Sequence, residues 1–137
     1  MNVKRYVLGS FAVFLVTFLA EGLFHGMIMV DSYNQYLELL RPESDSLSFM
    51  PFMSLGFLIL AFGFSYIFVQ GYEGKGVGEG VRFGLFVGIA FGISSNLINY
   101  AVFPWPSAWI VAWIAGETVI MMLAGAVLAL VYKPAGS

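Results

Sequence analysis

The stretch YVLGSFAVFLVTFLAEGLFHGMIMV, Tyr6 to Val30, decides the fold. Only Glu21 and His25 in it can carry charge near neutral pH. A helix needs about 20 mostly apolar residues to cross the hydrocarbon core of a bilayer, and this run is long enough. Lys4 and Arg5 ahead of it imitate the start of a signal peptide. Phe18, however, stands where cleavage before Glu21 would want a small residue, so the run is expected to remain as a helix. Three further runs of similar length follow: Phe49 to Val69, Val81 to Phe103 and Ala108 to Tyr132. The expected fold class is all-α, a four-helix transmembrane bundle formed by residues 1–137 as a single membrane domain.

Composition supports the same reading. Of 137 residues, 60% are hydrophobic and 10% charged, against roughly a quarter charged in soluble domains. So few charges cannot cover so much apolar surface; lipid must cover it. A net charge of −2 gives no basic face for a nucleic-acid partner. With no cysteine, disulfides, thiolate metal sites and cysteine catalysis are excluded. A single histidine excludes bis-histidine haem within the chain.

Five of the six basic residues (Lys4, Arg5, Lys75, Arg82 and Lys133) fall at the two ends and the second loop, and Arg41 alone lies in the first. The Lys/Arg bias therefore predicts both termini on the cytoplasmic side. In the first outer loop, Ser32 and Gln35 have capping-box spacing, and Tyr33, Tyr36, Leu37 and Leu40 share a helical face. The loop is expected to form either a short interfacial helix or an extension of the first span. The Phe103–Trp109 segment reads as an outer turn with interfacial tryptophans. The glycine-rich stretch from Gly71 to Gly80 lacks phosphate-loop spacing and reads as a turn.

Gly76, Gly80, Gly84, Gly88 and Gly92 recur every fourth residue into the third span. Glycine is costly inside a helix, but small residues four apart let a second helix approach closely in lipid. Ala108, Ala112, Gly116, Gly125 and Ala129 offer a matching face on the fourth span, and Gly22 and Gly26 a shorter one on the first. Gly84, Gly88, Gly92 and Gly116 are thus candidate packing residues, within the bundle or against a separate membrane protein or second copy.

Three ionisable groups lie well inside the spans: Glu21, His25 and Glu117. Such groups cost roughly 2.5–3.5 kcal/mol each at mid-bilayer and face the bundle interior. Glu21 and His25 are four apart, on one helix face. From a rise of about 1.5 Å per residue, Glu21 and Glu117 each lie roughly 15 Å below the outer boundary. His25, Asn96 and Asn99 lie roughly 8 to 12 Å below it. Polar side chains from three helices therefore share one slab of the outer half. Two carboxylates there cannot both ionise cheaply, and His25 is the expected charge partner. Glu21, His25, Asn96, Asn99 and Glu117 are the candidate ligand- or ion-binding residues; a structural polar knot is the alternative.

His25 with Met27, Met29, Met50 and Met53 could form a soft copper set, but Met27 and Met29 diverge by about 200° on a helix. No metal or cofactor is assigned. A nucleophile with a paired histidine is absent, so no catalytic residue is assigned.

The run Phe18-Leu19-Ala20-Glu21-Gly22-Leu23-Phe24-His25-Gly26, with Tyr33, Tyr36, Asn96-Leu97 and Trp105-Pro106, resembles a family of small bacterial inner-membrane proteins. That family is known only as a domain of unknown function with four spans. The resemblance implies the four-span fold, an acidic residue at Glu21, an asparagine at Asn96 and bacterial inner-membrane localisation. It implies no reaction. The chain departs from the pattern in the depth of Glu117 and in lacking an aspartate before Asn96.

The sequence favours a non-enzymatic accessory or assembly module packing against other membrane proteins. The alternative is a small transporter or ligand- or ion-binding protein using the buried polar cluster. An intramembrane enzyme acting on lipid or quinone, with His25 as base, has the least to work with.

Overall fold

The computed structural model describes residues 1–132. Lys133, one of the residues behind the expected orientation, lies outside them. Four helices are long and apolar enough to cross a membrane: α1 (Val3–Ile28), α2 (Leu47–Gly71), α3 (Val77–Val102) and α4 (Ser107–Val131). No strand occurs among the described residues. The chain has the architecture of an all-helical integral membrane protein. Every helix overlaps an expected span and runs to a punctuating residue of the adjoining loop.

Those ends have local causes. The Asn2 side chain accepts the Arg5 N–H at 3.2 Å, capping α1. Gly76, immediately before α3, has φ +76, a left-handed conformation that favours glycine. The Glu79 carboxylate folds back from the first turn of α3 to accept the N–H of Glu73 at 2.6 Å and of Lys75 at 2.8 Å. This orders the glycine-rich turn from within. Beside it, Lys75 pairs with Glu73 and holds that exposed carboxyl below its ordinary range.

The first loop departs from the continuous helix that the Ser32–Gln35 spacing suggests. It forms a short α-turn at Val30–Tyr33 and 3-10 turns at Leu37–Leu39 and Glu43–Asp45. Ser32 accepts the Trp109 indole N–H at 2.8 Å, and Gln35 donates to the Asp31 carbonyl at 3.3 Å. Of the two residues expected to cap a helix, Ser32 instead ties the loop to α4 and Gln35 bonds within the loop. Trp109 is correspondingly fully buried; it is no interfacial anchor, because the loop covers it.

The glycine ridge has its partner inside the chain. A Cβ on Gly84 would stand 2.7 Å from Met122 Cα, and one on Gly88 2.7 Å from Thr118 Cα. On Gly80 it would stand 2.6 Å from the carbonyl carbon of Gly125. Gly116 accommodates the ring of Phe24, and Gly92 lies against the Glu117 side chain. By contrast, a Cβ on Gly22 or Gly26 would meet nothing within 4 Å, so the expected small face on α1 packs nothing.

α4 packs against both α3 and α1, and α2 packs against α1. The helices therefore follow one another around the bundle as α2, α1, α4, α3. α2 and α3 meet at the end bearing the 72–76 turn, where Phe83 lies 4.8 Å from Phe64 and 5.3 Å from Phe68, ring centre to ring centre. Val13, Phe64, Phe68, Ile120, Ala124 and Leu128 fill this turn-end half with a dry core. The half nearer the 29–46 loop is packed differently, and the polar residues lie there.

Candidate functional site

On α1, Glu21 and His25 share a face as their spacing requires, with His25 Nε2 3.3 Å from Glu21 Oε2. The helix widens into a π-helical turn over Phe24–Ile28. The Met29 N–H reaches back five residues to the Phe24 carbonyl at 3.0 Å. Such turns are rare and concentrate at functional sites. α3 widens likewise over Gly88–Ile93, facing the same level of the bundle.

The loop after α1 completes the histidine environment. Tyr33 Oη hydrogen-bonds His25 Nδ1, and the same oxygen accepts the Trp113 indole N–H at 2.7 Å. Indole only donates, so the phenol proton is free to be donated to Nδ1. When the phenol donates in this way the His25 proton sits on Nε2, directed at Glu21; when Nδ1 carries the proton it donates to the same phenol oxygen. Burial is the main influence on the phenol. Opposed by the Trp113 hydrogen bond but reinforced by the negative charges of Glu21 and Glu117, it pushes Tyr33 up to about 12. The hydroxyl therefore stays protonated at any physiological pH.

Across the bundle, the buried Asn96 amide donates to Glu117 Oε2 at 2.9 Å and to the Gly92 carbonyl at 2.8 Å. Asn96 thus bridges α3 and α4 and sets the Glu117 carboxylate. Asn99 lies three residues beyond Asn96 on the same α-helical turn, but it is not among the residues that line the cavity. Four of the five candidate residues come together, and Asn99 does not join them.

Between these groups lies a cavity of about 540 Å³, within the range of small-molecule sites. Glu21, His25, Ser95 and Glu117 give it polar points, and its walls include Phe57, Phe64, Val87, Phe91 and Met121. Its rim is formed by Ile59, Ile67 and Phe91, which are 65%, 58% and 68% exposed. These residues lie in spans, so the mouth between α2 and α3 opens toward lipid. The Glu21 side chain is only 12% exposed and that of His25 40%. The carboxylates form the floor and the bilayer lies at the door.

A soft metal site does not assemble around His25. Met29 is 5% exposed and Met27 71%, so the two point apart as helix geometry requires. The residues that sequence reasoning missed are Ser32, Trp109 and Trp113. Trp109 reads from sequence as an interface anchor; Trp113, four residues further on the same helix face, is the signal that this face turns inward. Comparison with protein-family models, with curated proteins and with solved structures finds no match.

Proposed function

We propose that this protein binds a small amphiphile drawn from the bilayer, holding its polar end at Glu21, His25 and Glu117. One observation carries the reading: carboxylates from α1 and α4 line a single apolar cavity whose rim lies in the membrane. A purely structural polar knot is packed shut, whereas these groups border a volume that a ligand can occupy. One motive for the accessory-module reading, beside small size, little extramembrane mass and a Phe-rich apolar surface, is the glycine ridge, and α4 already covers Gly80, Gly84 and Gly88. The exposed apolar surface that remains is what lipid covers in any bundle of this kind.

The Lys/Arg bias supports placing the termini and the 72–76 turn in the cytoplasm and the 29–46 loop outside. The resemblance to small four-span bacterial proteins supports inner-membrane localisation.

Benzophenone, a neutral photoreactive amphiphile with one carbonyl acceptor, tests the reading in lipid nanodiscs. Saturable labelling of cavity residues such as Met121 or Phe91 is expected. It should be lost in Gly63→Phe, because Gly63 lines the cavity and an added side chain there meets open space. Unsaturable labelling, equal in both proteins and scattered over the lipid face, would refute it.

A further inference from the structure

We propose that the cavity exchanges one proton for one bulky organic monocation, and that the proton passes through His25 and Tyr33 to the loop end. This rests on the cavity reading above and names its ligand class and proton route.

The charge pattern points to a cation. Around His25, α1 contributes Glu21, α4 contributes Glu117 and the loop contributes Tyr33. α3 offers only the neutral Ser95 and Asn96 at this level, and α2 adds no titratable group to the lining. Among the described residues no lysine or arginine lines the cavity. Two negative charges facing one low-dielectric volume repel each other, so a single proton on the pair relieves the repulsion. A cation relieves it equally well, and its arrival makes the proton dispensable.

The walls select the kind of cation. A bare metal ion needs about six oxygen ligands. This floor offers two carboxylates, each already engaged, by His25 and by Asn96. Apolar walls with the rings of Phe57, Phe64, Phe83 and Phe91 suit alkyl or aryl groups, and ring faces attract a delocalised positive charge.

The hydrogen bonds define a balanced route. With Glu21 ionised, Nε2 of His25 holds its proton toward the carboxylate and Tyr33 donates to Nδ1. With Glu21 protonated, the bonds reverse: the carboxyl donates to Nε2, Nδ1–H donates to the Tyr33 oxygen, and the phenol proton turns outward. These two registers differ by one proton. On release, the Glu21 proton moves to Nε2, the Nδ1 proton moves to the Tyr33 oxygen, and the phenol proton passes to water. Each relay residue loses one proton and gains one: His25 gains at Nε2 and loses from Nδ1, and the Tyr33 oxygen does both. Trp113 holds the Tyr33 oxygen in place throughout.

The test uses the full chain in nanodiscs with three probes of similar bulk: tetraphenylphosphonium, tetraphenylborate and triphenylphosphine oxide. The expected result is saturable binding of the cation at least about tenfold tighter than the other two. About one proton should appear in weakly buffered medium per cation bound. The chain has one histidine, so its ring 15N resonances report the relay directly. They should shift toward the Nε2–H form when the cation binds. Glu117→Gln should bind the cation without releasing a proton, and Tyr33→Phe should bind it but release the proton more slowly by about tenfold.

Equal affinity for all three probes, or cation binding with neither proton release nor a change in the histidine resonances, overturns the exchange. An unchanged release rate in Tyr33→Phe overturns the route. If benzophenone labels the cavity while the cation stays out, the exchange falls and the cavity reading stands. If neither enters, both fall.

Discussion

The Trp113 indole N–H donates to the Tyr33 phenol oxygen across 2.7 Å, joining residues 80 positions apart. The bond fastens the loop after α1 onto α4 directly beside His25. The polar part of the site is therefore assembled from a loop residue and three helices, α1, α3 and α4, and the loop acts as its roof.

Trp113→Phe removes the donor while keeping an aromatic ring. A half-buried phenol oxygen losing a hydrogen bond costs about 1–3 kcal/mol. The thermal midpoint in mild detergent is expected to fall, with Trp105→Phe, whose indole makes no such bond to Tyr33, as the comparison. Equal midpoints for the two variants would show that the loop is held by something else.

Alkaline titration reads the Tyr33 environment. Its folded value of about 12 lies above the ordinary 10.0, so its contribution to stability is complete below pH 10.0. That contribution drains away as pH rises toward about 12, because the unfolded chain releases the proton first. Phenolate absorbance should show one late-ionising tyrosine that Tyr33→Phe deletes. Stability in that alkaline window should fall less steeply in the variant.

Glycine substitutions separate packing from mere helix content. Gly84→Ala drives a methyl into the Met121–Met122 backbone and is expected to cost about 1–3 kcal/mol or more. Gly22→Ala meets open space and should stabilise by up to about 1 kcal/mol through helix propensity. Thermal unfolding of the two variants checks the contrast, which vanishes if the ridge does not face α4.

The four spans were legible because bilayer thickness dictates helix length, and the shared depth of Glu21, His25, Asn96 and Glu117 followed from the rise per residue. The pairing of α3 with α4 was legible in their matching small residues, whereas the place of α2 was not. α2 is apolar all round, so no periodicity marks the side facing the α3 crevice. The π-helical turns at Phe24–Ile28 and Gly88–Ile93 leave no residue signature beyond glycine content. Depth alone groups Asn99 with Asn96, and depth does not say which residues border a cavity. Tyr33 could not be tied to His25 from sequence, since a loop's return path depends on what it finds to bond, here Trp109 and Trp113.

Glu79 offers a check far from the cavity. Its carboxylate accepts two backbone N–H groups of the 72–76 turn, and charge-assisted bonds of this type are worth about 1.5–3 kcal/mol. In Glu79→Ala, amide exchange at Glu73 and Lys75 should quicken by about tenfold or more. Exchange that stays slow would mean the positive-φ glycines alone hold the turn.

In the proposed function the Glu21–Glu117 floor shares a proton and faces the bilayer through the α2–α3 mouth. Dicyclohexylcarbodiimide, which dissolves in lipid and modifies protonated carboxyls, reports both properties in one mass spectrum. The expected product is one adduct per chain, on Glu21 or Glu117, suppressed in Gly63→Phe. Wild-type protein that stays unmodified, or an adduct that Gly63→Phe leaves undiminished, would rule out a protonated floor open to lipid.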